Sequence, residues 1–177
     1  MKKPILFSLL LFLWAFTMHG QKKPNELLND IKDTKTDTAK INIYFQIADY
    51  YQHSHFDSAL YYFNKSLRIA RQNKLTSDIA YLLLGKSQII SYQGKYHSSI
   101  DTARLAIHYY KLNNNLNGIA KGLNAIGVNF YNLSEYDSCR AYWLKCKDIH
   151  QQTKDSLEIA TNYTNLGVVD YVQSRTE

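Results

Sequence analysis

The stretch GLNAIGVNFYNLSEYDSCRAYW, residues 122–143, decides how this chain is built. Leu123, Ile126, Gly127 and Phe130 recur at three- and four-residue spacing, which puts them on one face of a helix. A polar break, Asn132-Leu133-Ser134-Glu135, turns the chain. Tyr136, Cys139, Tyr142, Trp143 and Cys146 then fall at the same spacing on a second helix. Small residues on both helices invite close approach, and the aromatics are large enough to fill what lies between.

The pattern occurs more than once. Polar breaks end in Phe56, Tyr96 and Tyr136, a step of 40 residues each time. Three residues after each stands a small residue, Ala59, Ser99 or Cys139, and four beyond those come Phe63, Ala103 and Trp143. Upstream, Ile47, Ser87, Gly127 and Gly167 keep the same step. Such self-similarity is the signature of a stacked repeat, in which no single unit can bury its apolar face alone. The reading is an all-α helical-repeat solenoid with units of about 38–77, 78–117 and 118–157 and a partial unit 158–177. Gly127 is expected to sit where a bulky side chain would part the second unit from the third.

The N-terminus has a different character. A basic Met1-Lys2-Lys3 precedes a short apolar run, Ile5 to Met18, and polar sequence resumes at Gln21. This three-part layout is that of a secretory signal peptide, residues 1–20. Its run falls short of the roughly 20 apolar residues of a spanning helix. Residues 21–37 form a polar, partly helical lead-in to the repeat domain, 38–177. Two of the 21 basic and none of the 15 acidic residues lie in 1–20, which leaves a net charge of +4 beyond it. The charges are interspersed, without the basic stripe that nucleic-acid binding uses, so no nucleic-acid partner is expected.

The third unit resembles the tetratricopeptide repeat (TPR) family: L-x2-I-G-x2-F from Leu123 to Phe130, then Cys139-x3-Trp143 at the family's Ala-x3-Phe. The fourth opens with Tyr163, Leu166 and Gly167. The resemblance implies a right-handed solenoid of helix-turn-helix units. A period of 40 exceeds the family's 34 by about 1.7 helical turns, most simply a longer second helix. Together with the leader, the chain looks like the exported TPR regions of bacterial signalling proteins. That implies a periplasmic or membrane-associated location and a role in signal transduction.

Candidate chemistry is sparse. Cys139 and Cys146 are seven residues apart on one helix, a rise of about 10.5 Å, too far for a disulfide. His53, His55 and His97 lie in turns without the converging ligands a metal needs. No nucleophile elbow, phosphate loop or HExxH is present. Asp57, Asp101 and Asp137 begin or border second helices, and the helix dipole favours early acids. No enzyme activity, cofactor or metal is expected.

The resemblance instead implies binding, because in TPR proteins the first helices line a concave face that grips a peptide or a partner helix. Transferred to this sequence, that face holds Tyr44, Tyr51, Gln88, Tyr92, Lys121, Asn124, Tyr131 and Tyr171. Tyrosine suits such a role, with a large apolar ring and a polar tip, and equally suits packing between units. The packing positions are Ala59, Phe63, Ser99, Ala103, Gly127, Cys139, Trp143 and Gly167. The last helix is apolar around much of its circumference (Tyr163, Leu166, Val168, Val169, Tyr171, Val172). Such a surface calls for cover, by self-association or by further chain. The expected function is an exported protein-interaction scaffold; the alternative is the sensory ectodomain of a membrane-bound histidine kinase or helix-turn-helix regulator.

Overall fold

The computed structural model describes residues 22–174. The leader at 1–20 lies outside the described residues. Eight helices follow one another among them: α1 (Pro24–Asp33), α2 (Asp37–Tyr51), α3 (Phe56–Gln72), α4 (Thr76–Tyr92), α5 (Tyr96–Leu112), α6 (Leu116–Asn132), α7 (Tyr136–Thr153) and α8 (Ser156–Gln173). Each helix packs on its neighbours in sequence, and α4 also meets α6. The result is a solenoid of helix pairs α2–α3, α4–α5 and α6–α7, with α1 against α2 at one end and α8 against α7 at the other.

The 40-residue period has a local cause. Helices α3 to α6 are each 17 residues long, and the turns at 73–75, 93–95, 113–115 and 133–135 are equally short. The extra length over the usual repeat is therefore shared by both helices, not confined to the second as the spacing had suggested. These turns, and the one before α8, close by one device. Leu75, Lys95, Asn115, Glu135 and Asp155 donate their N–H to the carbonyls of Ala70, Ile90, Tyr110, Phe130 and His150. This bond defines the Schellman motif and requires a left-handed residue just before the donor. Lys74, Gly94, Asn114, Ser134 and Lys154 supply it, with φ between 51° and 74°. Asn115 and Asp155 then cap the next helix by accepting from Gly118 N and Glu158 N at 2.8 and 3.1 Å.

Close approach of α6 to both neighbours needs missing side chains. A Cβ on Gly118 would lie 2.2 Å from the Tyr110 ring, and one on Gly122 would lie 2.4 Å from Ile107, both on α5. A Cβ on Gly127 would lie 2.5 Å from Trp143 Nε1 on α7. Gly127 thus closes the helix pair inside the third unit; Gly118 and Gly122 are the glycines at the boundary with the second, which corrects the expectation for Gly127. Among the other repeat positions, Ala59, Phe63, Ser99, Ala103, Cys139 and Trp143 are buried. Phe63 reaches across to the next unit, where a Cβ on Gly85 would stand 2.8 Å from its ring.

Gly167 differs from its counterpart Gly127. It is exposed, and nothing among the described residues lies within 4 Å of where its Cβ would be. The physical reason is that no described helix packs on that side of α8. This contrast gives a test. Gly127→Ala should destabilise by about 1–3 kcal/mol, because overpacking against the buried indole outweighs alanine's better helix propensity. Gly167→Ala should stabilise by about 0.5–1 kcal/mol. Urea unfolding of both variants reads the signs, and equal signs would overturn this account.

Candidate functional site

Because α2, α4, α6 and α8 stand side by side as the first helices of their units, the grooves between them lie on one face. Three clefts follow one another there. The first, about 200 Å³ between α2 and α4, is lined by Phe45, Asp49, Gln52, Tyr81, Leu84 and Gln88. The second, about 370 Å³ between α4 and α6, is lined by Leu84, Gln88, Tyr92, Lys121, Asn124 and Val128. The third, about 300 Å³ between α6 and α8, takes Lys121, Asn124, Glu158 and Asn165 from its walls and Cys146 and His150 from α7 beneath. Shared residues join them, Gln88 between the first two and Lys121 with Asn124 between the last two.

The second cleft collects four of the eight residues expected on the concave face: Gln88, Tyr92, Lys121 and Asn124. Gln88 Nε2 donates to the Tyr92 hydroxyl at 2.7 Å, and the Tyr92 ring lies 5.2 Å from that of His53. Lys121 and Val128 are exposed on the wall. The other four lie outside the three clefts. Tyr44 and Tyr51 both stack on Tyr62 of α3, at 6.0 and 6.3 Å, with the Lys65 ammonium over Tyr44 and Tyr61. Among the described residues no earlier helix pair stands beside α2, and its tyrosines lie on its own partner helix. Tyr131 stacks on Trp143 at 6.3 Å and meets Tyr136 edge-on. Tyr171 is exposed at the far end of α8.

Two residues that the repeat pattern did not single out form the cleft floors. Asn129 is 2% exposed; its Nδ2 donates to Ser99 Oγ at 3.0 Å and to the Ala125 carbonyl at 2.7 Å, while its Oδ1 has no partner. Ser99 Oγ in turn donates to the Ser87 carbonyl at 2.7 Å. Asn162, also 2% exposed, donates through Nδ2 to the Glu158 carbonyl at 2.6 Å and to His150 Nδ1 at 2.8 Å, and its Oδ1 is likewise unpartnered. The register carried a signal for one of them. Asn129 aligns with Asp49, Ile89 and Val169 and so interrupts a position that is apolar in two other units, whereas Asn162 aligns with Asn42, Leu82 and Gly122, a position of mixed character.

The thiols are chemically quiet. Burial pushes Cys139 from an ordinary 9.0 to about 11. Burial, with the Glu158 charge adding to it, pushes Cys146 to about 11 as well. Cys146 donates to the Ala120 carbonyl at 3.3 Å and lies 4.0 Å from His150 Nδ1. A nucleophilic cysteine needs its thiolate, and these environments oppose it. Among the described residues no His, Cys, Asp and Glu group could hold a metal, and no helix is long and apolar enough to cross a membrane. Tyr110 is also raised, to about 12, by burial.

All three groups hold their protons more tightly folded than unfolded. The stability they contribute is present below about pH 9 and is lost as pH rises through about 11. Unfolding midpoints measured from pH 8 to pH 11 should fall, and a thiol reagent at pH 8 should label neither cysteine until urea unfolds the chain. Rapid labelling in the absence of urea would contradict the burial described above.

Comparisons with known proteins agree with this architecture. The family model described as the SusR N-terminal TPR domain matches residues 15–119. A comparison with curated proteins found no match. Similar solved structures include BtubC (BKLC) from P. vanneervenii, with a TM-score of 0.70 and 17% identity over 80% of this chain and 59% of that one. The apo form of RapI gives a TM-score of 0.72 at 16% identity over 82% of this chain and 41% of its own. A Rap protein complexed with Competence and Sporulation Factor gives 0.73 at 13% identity, with the same coverage of 82% and 41%. The chain thus spans less than two thirds of each of these structures, and at such identities the likeness establishes the fold.

Proposed function

The chain belongs to the SusR N-terminal TPR domain family, and on that premise we propose that it is an exported protein-interaction scaffold without chemistry of its own. Its groove between α4 and α6 holds a peptide or an extended segment of a protein partner. The observation that carries this reading is the convergence of Gln88, Tyr92, Lys121 and Asn124 on one cleft. A tyrosine ring beside amide and ammonium donors offers apolar area together with hydrogen bonds for a backbone, the mixture that interfaces favour. The complex of a Rap protein with Competence and Sporulation Factor lends support from a protein of the same fold. The basic-apolar-polar layout of residues 1–20 supports export to the periplasm.

A displayed library of random peptides, selected on the purified protein, tests the groove. Lys121→Glu and Tyr92→Ala should each weaken the selected binders by about tenfold or more, as for residues central to an interface. Tyr44→Ala should leave them unchanged. Binding indifferent to Lys121 and Tyr92 but lost with Tyr44 would move the site off this face.

A second reading, in which these residues are the sensory part of a longer membrane-bound histidine kinase or helix-turn-helix regulator, is favoured by two observations. The matched family is described as an N-terminal domain. Helix α8 also exposes Leu157, Tyr163, Val168 and Tyr171, an apolar surface that self-association or further chain would cover. An antibody against residues 38–173, applied to fractionated native cells, decides between the two. A soluble periplasmic band near 20.6 kDa supports the scaffold, and a much larger membrane-bound band supports the sensor.

A further inference from the structure

We propose that the cleft between α6 and α8 is a binding site for a small zwitterion, an ammonium group beside a carboxylate, as in a free α-amino acid. The floor supplies the first argument. Asn162 is buried, and its Nδ2 is committed to two acceptors, the Glu158 carbonyl and His150 Nδ1. Because a carbonyl can only accept, the amide is fixed with Nδ2 toward it, and Oδ1 is left as an acceptor without a donor. His150 does not supply that donor through Nδ1, which lies 2.8 Å from the donating Asn162 Nδ2. A buried acceptor without a partner is costly, and an N–H donor arriving in the cleft would satisfy it.

The walls supply the second argument. Lys121 from α6 and Glu158 from α8 line the same cleft, and neither joins an ion pair among the described residues. Asp155, the other carboxylate of the cleft, already caps α8 through Glu158 N. Glu158 is therefore the acid free to meet an ammonium, and its charge reaches the floor, where it helps hold the Cys146 thiol protonated. An ammonium donating to Glu158 and to Asn162 Oδ1 places the adjoining carboxylate toward Lys121 on the opposite wall. Both free charges and the orphaned acceptor are then used at once. A volume of about 300 Å³ is at the small end for ligand sites, which suits a metabolite of amino-acid size.

This site shares Lys121 with the groove between α4 and α6, but Glu158 and Asn162 belong to it alone. Its test is a melting scan of the protein with each of the free L-amino acids in turn at millimolar concentration. At least one should raise the melting temperature by about 2–4 °C. For that amino acid, calorimetric titration should show binding about tenfold or more weaker for its N-acetyl form, which lacks the ammonium, and for its amide, which lacks the carboxylate. Glu158→Gln and Lys121→Ala should each weaken the free amino acid by a similar factor. Both side chains are exposed, so an unchanged melt without ligand verifies that these variants fold. The proposal fails if no amino acid raises the melting temperature, if either blocked form binds as well as the free one, or if either variant binds like the parent protein. None of these failures bears on peptide selection by Tyr92 and Gln88.

Discussion

The architecture hangs on how closely α6 can approach the helices on either side of it. Three glycines on one helix are an expensive choice, since each costs about 1 kcal/mol of helix propensity relative to alanine. They are retained because Tyr110, Ile107 and Trp143 occupy the space where their side chains would be. Tyr110 and Ile107 lock the second unit to the third, and Trp143 locks the third unit internally. The rest of α6 is then free to carry polar residues toward the concave face. Lys121 and Asn124 reach both neighbouring clefts because the helix bearing them sits so close to its neighbours.

Polar groups also stitch the units together. The chain of hydrogen bonds from Asn129 to Ser99 to the Ser87 carbonyl runs from the third unit into the second and then across that unit's own helix pair. Within the first unit Ser66 donates to the Ile41 carbonyl at 3.1 Å, from the register position that Cys146 holds in the third. At the far end, Arg140 pairs with Asp170 to tie α8 to α7. Apolar burial is the larger contribution to stability, but it is non-directional. Directional bonds at fixed register positions add a preference for one stacking offset over slippage by a turn.

Much of the fold was legible because a repeat writes its architecture locally. Small residues at Ala59, Ser99 and Cys139 and turns of fixed length can be read without knowing what touches what. The groove was half legible for the same reason: Gln88, Tyr92, Lys121 and Asn124 lie on first helices flanked on both sides by others. Tyr44 and Tyr51 share that periodicity, yet α2 is the first of its row, and stacking on Tyr62 takes them elsewhere. Tyr131 stacks instead on Trp143, the indole that fills the space beside Gly127. Gly167 repeats Gly127 in sequence without repeating its contact, since sequence register does not reveal whether a neighbouring helix is there. Asn129 and Asn162 escaped notice because an asparagine on a helix reads as a solvent-facing residue until its buried partners are known.

Contacts mostly between successive helices have a mechanical side. A solenoid of this kind bends as a spring does, with small rotations at each interface adding along its length. The three clefts lie between successive first helices, so bending toward that face narrows them together and bending away opens them. The short, sterically restricted turns resist changes of helix spacing and leave curvature as the softer coordinate. A ligand filling one cleft would therefore act on curvature, and so on the angle between the two ends of the domain.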